Sequence, residues 1–231
     1  MNNVEYSEMA QYYDMFYANK NYNKEVDFIK NFISSPQQTI LDAGCGTGNH
    51  AVILNKQGFN IEGFDKSEDM IKVANNKLPN KFFVDDMLNF TRNKKYDIII
   101  SFFAVFNHFR NYHEFSIALN NLKNCLNSHG TIIIDLHNPQ KSGNKTEKID
   151  NATRVMKWRK CNLFKKEYST ITYIVDDNTY TAKHTFKIYS IKKLFKLAQS
   201  LQFKSIKMYE NYDINSSATS KSKNIQLVLT V

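Results

Sequence analysis

Cysteine is sparse. Cys45, Cys125 and Cys161 form an odd set without regular spacing, which excludes a disulfide framework and points to free thiols in a reducing cytoplasm. No Cys/His clusters at metal-ligand spacing occur, so no metal is expected. No run of about 18 apolar residues appears, so no membrane span is expected. Met1-Asn2-Asn3-Val4-Glu5-Tyr6 lacks a basic start followed by an apolar run, so no secretory signal is expected there. Internal repeats are absent. Glycine is rare too, with 7 in 231 residues, and Gly44, Gly46 and Gly48 lie within one turn of chain.

What is present suffices for a full core. Hydrophobic residues make up 42% of the chain, enough for one large α/β domain carrying an insertion. The net charge of +9 is unevenly spread: residues 1–140 carry 13 Lys/Arg against 15 Asp/Glu, and residues 141–231 carry 18 against 7. Such asymmetry fits an anionic partner (a nucleotide-linked substrate, nucleic acid or an acidic membrane surface) or simply a solvated lysine-rich face.

The chain is organised around Thr39-Ile40-Leu41-Asp42-Ala43-Gly44-Cys45-Gly46-Thr47-Gly48. Ile40 and Leu41 read as the end of a buried strand. The glycines allow close backbone approach to a ligand, and Ala51, Val52 and Leu54 then follow helical spacing. Strand, glycine turn and helix N-terminus form the nucleotide-binding corner of a doubly wound sheet. The G-x-G-x-G spacing after an acid is not the dinucleotide fingerprint, and no Gly-Lys-Ser/Thr marks a phosphate loop. The segment resembles the first motif of class I S-adenosylmethionine (SAM) methyltransferases. The resemblance implies a glycine turn facing the amino-acid moiety and ribose of SAM, with Asp42, Ala43, Gly44, Gly46 and Gly48 at the cofactor.

Further segments extend the likeness. Phe59–Phe64 reads as a strand ending at Asp65, a carboxylate able to accept two hydrogen bonds from a ribose diol. Ser67 is the better cap of the next helix, whose first turn carries Glu68 and Asp69. Gly63-Phe64-Asp65-Lys66-Ser67-Glu68-Asp69-Met70 resembles the second family motif, which places Asp65 and Lys66 at the cofactor and Met70 against the adenine. After the strand Lys81–Val84, Asp86 and Met87 match the family's adenine-binding pair, with Asp85 where a glycine is usual. Upstream, Met9 to Tyr17 and Val26 to Ile33 read as two helices. Tyr13-Asp14-Met15-Phe16-Tyr17 resembles the Y-D-x-x-Y segment that folds over the cofactor in small-molecule methyltransferases, making Tyr17 and Tyr22 lid contacts.

Tyr96–Ser101 is the central strand, and residues 102–109 leave its C-terminal end, where an open parallel sheet has its ligand crevice. Phe102 is expected at the cofactor. His108 is the one group in this loop that ordinarily titrates near neutral pH; it could take a proton from the acceptor or orient it, or merely cap the next helix. Residues 101–109 resemble a stretch of sugar N,N-dimethyltransferases, which act on nucleotide-linked amino sugars and place a histidine near the acceptor amine. Glu114–Leu126 is a helix, Thr131–Leu136 the fifth strand, and His137 and Asn138 either line the acceptor site or form a polar turn before Pro139. Residues 153–188 read as antiparallel strands with a turn at 176–178. There Arg154 and Arg159 could meet a diphosphate, or lie on solvated faces. Ser190 is expected to cap a helix; Phe203–Tyr209 and Asn224–Val231 form a terminal hairpin, with a Ser-rich loop at 215–223 between them.

The expected fold is α/β: a doubly wound, mostly parallel seven-stranded sheet with a small antiparallel β insertion after the fifth strand. Residues 1–36 form a helical lid, 37–140 and 189–231 the SAM-binding domain and 141–188 the insertion. The resemblance implies a cytoplasmic, metal-independent enzyme that methylates a small molecule, the amine of a nucleotide-linked amino sugar being the leading acceptor, and a homodimer through the insertion. No membrane partner is expected. A methyltransferase docking RNA or protein through the basic part and a non-catalytic SAM-binding module are the alternatives; no RNA-binding motif and no Asn-Pro-Pro-Tyr support nucleic acid.

Overall fold

In the computed structural model, residues 10–175 and 178–231 are described. The expected helical positions before Ala10, Met9 included, and Asp176 and Asp177 of the expected turn lie outside the described residues. The chain runs through α1 (Ala10–Tyr17), α2 (Tyr22–Lys30), β1 (Thr39–Ala43), α3 (Asn49–Lys56), β2 (Asn60–Asp65), α4 (Glu68–Lys77), β3 (Phe82–Val84) and β4 (Tyr96–Ser101). A 3-10 turn, Val105–His108, leads to α5 (Tyr112–Asn124) and β5 (Leu126–His137). The strands β6 (Gly143–Ile149), β7 (Ala152–Cys161), β8 (Lys166–Val175) and β9 (Asn178–Lys187) precede α6 (Ile191–Ser200), and β10 (Ser205–Glu210), β11 (Asp213–Ser217) and β12 (Asn224–Thr230) end the chain.

The central sheet has the order β11-β10-β12-β5-β4-β1-β2-β3. β5, β4, β1, β2 and β3 run parallel, and β12, β10 and β11 close one edge antiparallel. From β1 the chain moves outward to β2 and β3, then returns to β4 on β1's other side. This reversal opens the crevice at the C-terminal ends of β1 and β4. Ser101 ties the two ends together, its Oγ donating to the Ala43 carbonyl at 2.8 Å. Runs such as Ile98–Ile100 and Ile132–Ile134 are fully or almost fully buried because helices cover both faces. On one side Phe115, Ala118, Leu119 and Leu122 of α5 join Leu194 and Ala198 of α6; on the other, Val26, Phe28 and Ile29 of α2 join Ala51, Leu54, Ile71 and Ala74.

Among the described residues the sheet therefore has eight strands, not seven. Asn211 and Tyr212 both take positive φ, +55° and +58°, and fold β11 back onto β10 as an extra edge strand. The expected Ser-rich loop is shortened accordingly. α2 sends Val26, Phe28 and Ile29 into the core, while Tyr22 at its start and Tyr13 of α1 reach the crevice from the expected 1–36 lid. Ser190 precedes α6 without a capping hydrogen bond from its side chain. Among the described residues β6 to β9 pair only with one another, as a four-stranded antiparallel meander. Its own small core is shared with α1: Phe16 packs with Ala152, Tyr173 and Val175. Among the described residues no helix is long and apolar enough to cross a membrane, and no group of three or more His, Cys, Asp or Glu could hold a metal ion.

Candidate active site

Past β1 the backbone turns through Gly44, Gly46 and Gly48 at φ +77°, +54° and +77°. The Gly44 and Cys45 N–H groups both donate to the Phe64 carbonyl, at 2.8 and 2.9 Å, hooking the turn onto the end of β2. Asp65 fastens it further: one oxygen accepts from Gly46 N at 2.9 Å and the other from Ser67 N at 3.0 Å. Each oxygen keeps a second lone pair for a ligand hydroxyl. Burial raises the Asp65 carboxyl above its usual range against these hydrogen bonds.

A cavity of about 560 Å³ opens here, within the ~300–1,000 Å³ usual for small-molecule sites. Asp42 is its most informative wall. The residue is 1% exposed, and its Oδ2 has no hydrogen-bond partner. Burial, then the charge of Asp65, pushes its carboxyl up to about 8. A buried acceptor without a donor is costly, so the pocket is built for a ligand that brings a donor, best a cationic one. Across the lining, Asp42, Asp65, Asp85, Asp86 and Glu114 stand against Lys66 and Arg110.

The structure brings most of the sequence-selected residues to this cavity: Tyr22, Asp42, Gly44, Gly46, Asp65, Lys66, Met70, Asp86, Met87, Phe102 and His108 all line it. Asp86 sits in a tight turn, its Oδ1 accepting from Leu88 N at 2.9 Å. Three do not line it. Ala43 is wholly buried in the core beneath the turn. Gly48 precedes α3, where a Cβ would lie 2.7 Å from the Phe82 ring; its role is helix packing. Tyr17 stands behind the wall, its ring 4.6 Å from Tyr13, 4.9 Å from Phe103 and under the Arg154 guanidinium.

Other expected acceptor contacts are engaged elsewhere. His137 Nε2 lies 3.3 Å from Glu167. Asn138 is buried and holds the loop before β12 through the Ser222 and Ser220 carbonyls. Arg154 is 5% exposed and paired with Glu147 over the Phe16 and Tyr17 rings, so it is not open to a diphosphate; Arg159 is exposed. His108 remains at the cavity. It exposes its ring to the cavity while lying 4.6 Å from Phe186 and 5.8 Å from His184, both on β9 (ring centroids). Burial, then His184 and Lys66, pushes it down to about 3. An imidazole this weakly basic does not keep a proton taken from an amine at neutral pH. Of the two roles the sequence left open for His108 toward the acceptor, taking its proton or orienting it, an imidazole of lowered basicity favours the second.

Sequence reasoning passed over His50, Phe103 and the latch made by Asp14. His50 lines the cavity from the first turn of α3, its Nε2 2.6 Å from Glu25; its place just after the glycine turn was the available signal. Phe103 and Ala104 take φ +68° and +59° in succession, a strained pair for side chains with a Cβ. It is held by Phe103 N donating to Asp135 at 3.2 Å; nothing local in the sequence announces this. Asp14 on α1 accepts from Thr47 Oγ1 at 2.7 Å and Asn49 Nδ2 at 3.0 Å, and pairs with Lys77. Burial opposes its ionisation, but these partners hold its carboxyl below the usual range. Asp14→Ala is expected to release α1 from the glycine turn and weaken cofactor binding about tenfold, read by calorimetry; unchanged affinity would make the latch dispensable.

A profile of the methyltransferase domain matches residues 17–208 of the 231. The chain belongs to this methyltransferase family. The methyltransferase is 31% identical over 212 residues to the 235L protein of Invertebrate iridescent virus 6, whose own assignment as a methyltransferase is provisional; the match covers 78% of this chain and 72% of the relative. It is 28% identical over 132 residues to dTDP-3-amino-3,4,6-trideoxy-alpha-D-glucopyranose N,N-dimethyltransferase of Streptomyces venezuelae, covering 54% of this chain and only 56% of that enzyme. A SAM-dependent methyltransferase from Clostridium acetobutylicum superposes with TM-score 0.83 over 98% of both chains at 20% identity, a likeness of fold. SAM is the cofactor of this methyltransferase fold, and the site fits it: Asp42 lacks the donor that a ligand ammonium brings, and the glycine turn leaves backbone room beside Asp65.

Proposed function

We propose that this methyltransferase transfers a methyl group from SAM to the amine of a small molecule, with a nucleotide-linked amino sugar as the leading acceptor. One observation carries the reading: the cavity lining holds more carboxylates than fixed cations, and the unpartnered, buried Asp42 is among them. Such a pocket favours cationic ligands, which suits a sulfonium cofactor and an amine that enters as an ammonium. Similarity to the dTDP-amino-sugar enzyme supports the acceptor class.

Bound SAM supplies an electrophilic methyl group. The protein's part is positioning and exclusion of water. Asp42, Asp65 and the Gly44–Gly46 backbone hold the donor side. Phe102, Phe103 and Val105 wall the cavity where the chain leaves β4. His108, neutral at physiological pH, accepts an N–H hydrogen bond from the acceptor amine and leaves its lone pair free to attack. The acceptor enters as an ammonium and loses its proton to solvent at the mouth of the cavity before attack, since His108 does not retain it.

The test is transfer of labelled methyl from SAM to a panel of nucleotide-linked amino sugars, free amines and RNA, followed by mass spectrometry. Label on an amino sugar is expected; label on RNA alone would overturn the acceptor class, and SAM binding without any transfer would favour a regulatory module. His108→Ala is expected to lower turnover about tenfold to a hundredfold with SAM affinity nearly intact. The pH profile of wild-type kcat/KM should show the acceptor's titration and no inflection near the ordinary imidazole value of 6.5. A limb there would restore His108 as the base.

A further inference from the structure

The turn joining β7 to β8 projects two adjacent large apolar side chains into solvent: Leu163 is 82% exposed and Phe164 58%. Adjacent exposed apolar side chains at the apex of a hairpin call for an explanation that scattered surface ones do not. Their setting is basic. Lys165 is exposed in the same turn, and Cys161 pairs with Lys166, which in turn pairs with Lys187 on β9. Burial and the neighbouring charges of Lys166 and Lys193 lower the Lys187 ammonium, which places the start of α6 beside the same cluster. Arg159 stands exposed two pairs further along β7. The acid near this end of the sheet, Glu167, is buried and faces His137.

We propose that this hairpin tip docks the protein on an anionic lipid bilayer, with Leu163 and Phe164 entering the interface and the surrounding lysines meeting the headgroup phosphates. Apolar insertion and a basic collar are the two signals that together give stable peripheral attachment. The charge selects this occupant. A second copy meeting the tip through a two-fold axis would set like collars against each other. Nucleic acid would use the lysines but offers little to an aliphatic Leu163. The proposal departs from the expectation of no membrane partner and is independent of the acceptor's identity. It places the rim of the cavity close to the headgroup layer, because Phe186, which packs on His108, is the next residue pair inward from the tip.

The experiment is co-sedimentation of the full chain with vesicles of equimolar phosphatidylcholine and phosphatidylglycerol, and with phosphatidylcholine alone. Binding to the anionic vesicles and not the neutral ones is expected, weakening as salt is raised. Leu163→Ser with Phe164→Ser should reduce partitioning at least tenfold, and Lys165→Glu with Arg159→Glu should do likewise, with unchanged thermal midpoints since all four side chains are exposed. Absence of binding to anionic vesicles, or binding that survives the serine pair, would overturn the proposal. So would a dimer of the wild-type chain in solution that the serine pair dissociates, which assigns the tip to a second copy, or RNA binding with the same dependence on Leu163 and Phe164.

Discussion

Asp42→Asn is expected to reduce SAM affinity about a hundredfold, the loss of a charge-assisted hydrogen bond of ~2–3 kcal/mol, while making the ligand-free protein more stable at alkaline pH. Both effects follow from one buried carboxyl raised to about 8. The folded protein holds this proton more tightly than the unfolded chain. Its stability contribution is present at low pH and is lost as pH climbs from the ordinary carboxylate range through about 8. A cationic ligand reverses the preference, because it binds the ionised form. SAM affinity should therefore rise with pH until about 8, with a proton released on binding below that point. Calorimetry in buffers of different ionisation enthalpy counts the proton, and thermal melts across pH follow the stability. Asn abolishes both dependences. Unaltered affinity in Asp42→Asn would make the carboxylate a structural element and remove the main support for a cationic ligand.

Gly44→Ala is expected to abolish detectable cofactor binding and to destabilise the protein by about 2–4 kcal/mol. A Cβ at this position would lie 2.7 and 2.9 Å from the two methyl carbons of Val105, and the residue sits at φ +77°. Neither partner can yield easily: the turn is hooked to the Phe64 carbonyl, and Val105 follows the strained Phe103–Ala104 pair. Adding Val105→Ala should recover part of the lost stability by removing the clash, but not the part due to the positive φ. Gly46→Ala separates the two causes. A Cβ there meets nothing within 4 Å, so the strain of φ +54° should cost only about 1 kcal/mol, while the added methyl narrows the cavity that Gly46 lines. Urea melts give the stabilities and calorimetry the affinities. Equal stability losses at Gly44 and Gly46 would mean that packing against Val105 carries no weight.

The cofactor side of the site was legible because its instructions are local. Asp42 and the three glycines lie within seven residues, and Asp65 with Ser67 and Met70 lies within six at the end of one strand. Steric freedom at φ > 0 and helix capping leave marks on neighbouring positions. The same locality made the parallel strands plain, since Ile98–Ile100 and Ile132–Ile134 read as buried runs. Where local marks were weak the reading slipped. Asn211-Tyr212 carries no glycine, so the turn that adds β11 went unread, and Ser190 looked like a cap although its side chain makes no capping bond.

The acceptor side was legible only in outline, because there a residue's chemistry depends on distant segments. His108 in the sequence is an imidazole of ordinary basicity in a crevice loop. Packing from β9, some 80 positions later, sets Phe186 and His184 against the ring and lowers its basicity, which favours an orienting role over that of a base. Arg154 carried a charge suited to a diphosphate until burial over Phe16 and Tyr17 committed it to Glu147. His50 acquired its carboxylate from Glu25, and the strained Phe103 its anchor from Asp135. The sequence by itself determined the parallel part of the sheet, the glycine turn and the class of cofactor, since backbone sterics and hydrophobic periodicity act between near neighbours. Only the tertiary structure decided which ionisable groups are desolvated, because the dielectric around a side chain is set by whatever the fold packs against it.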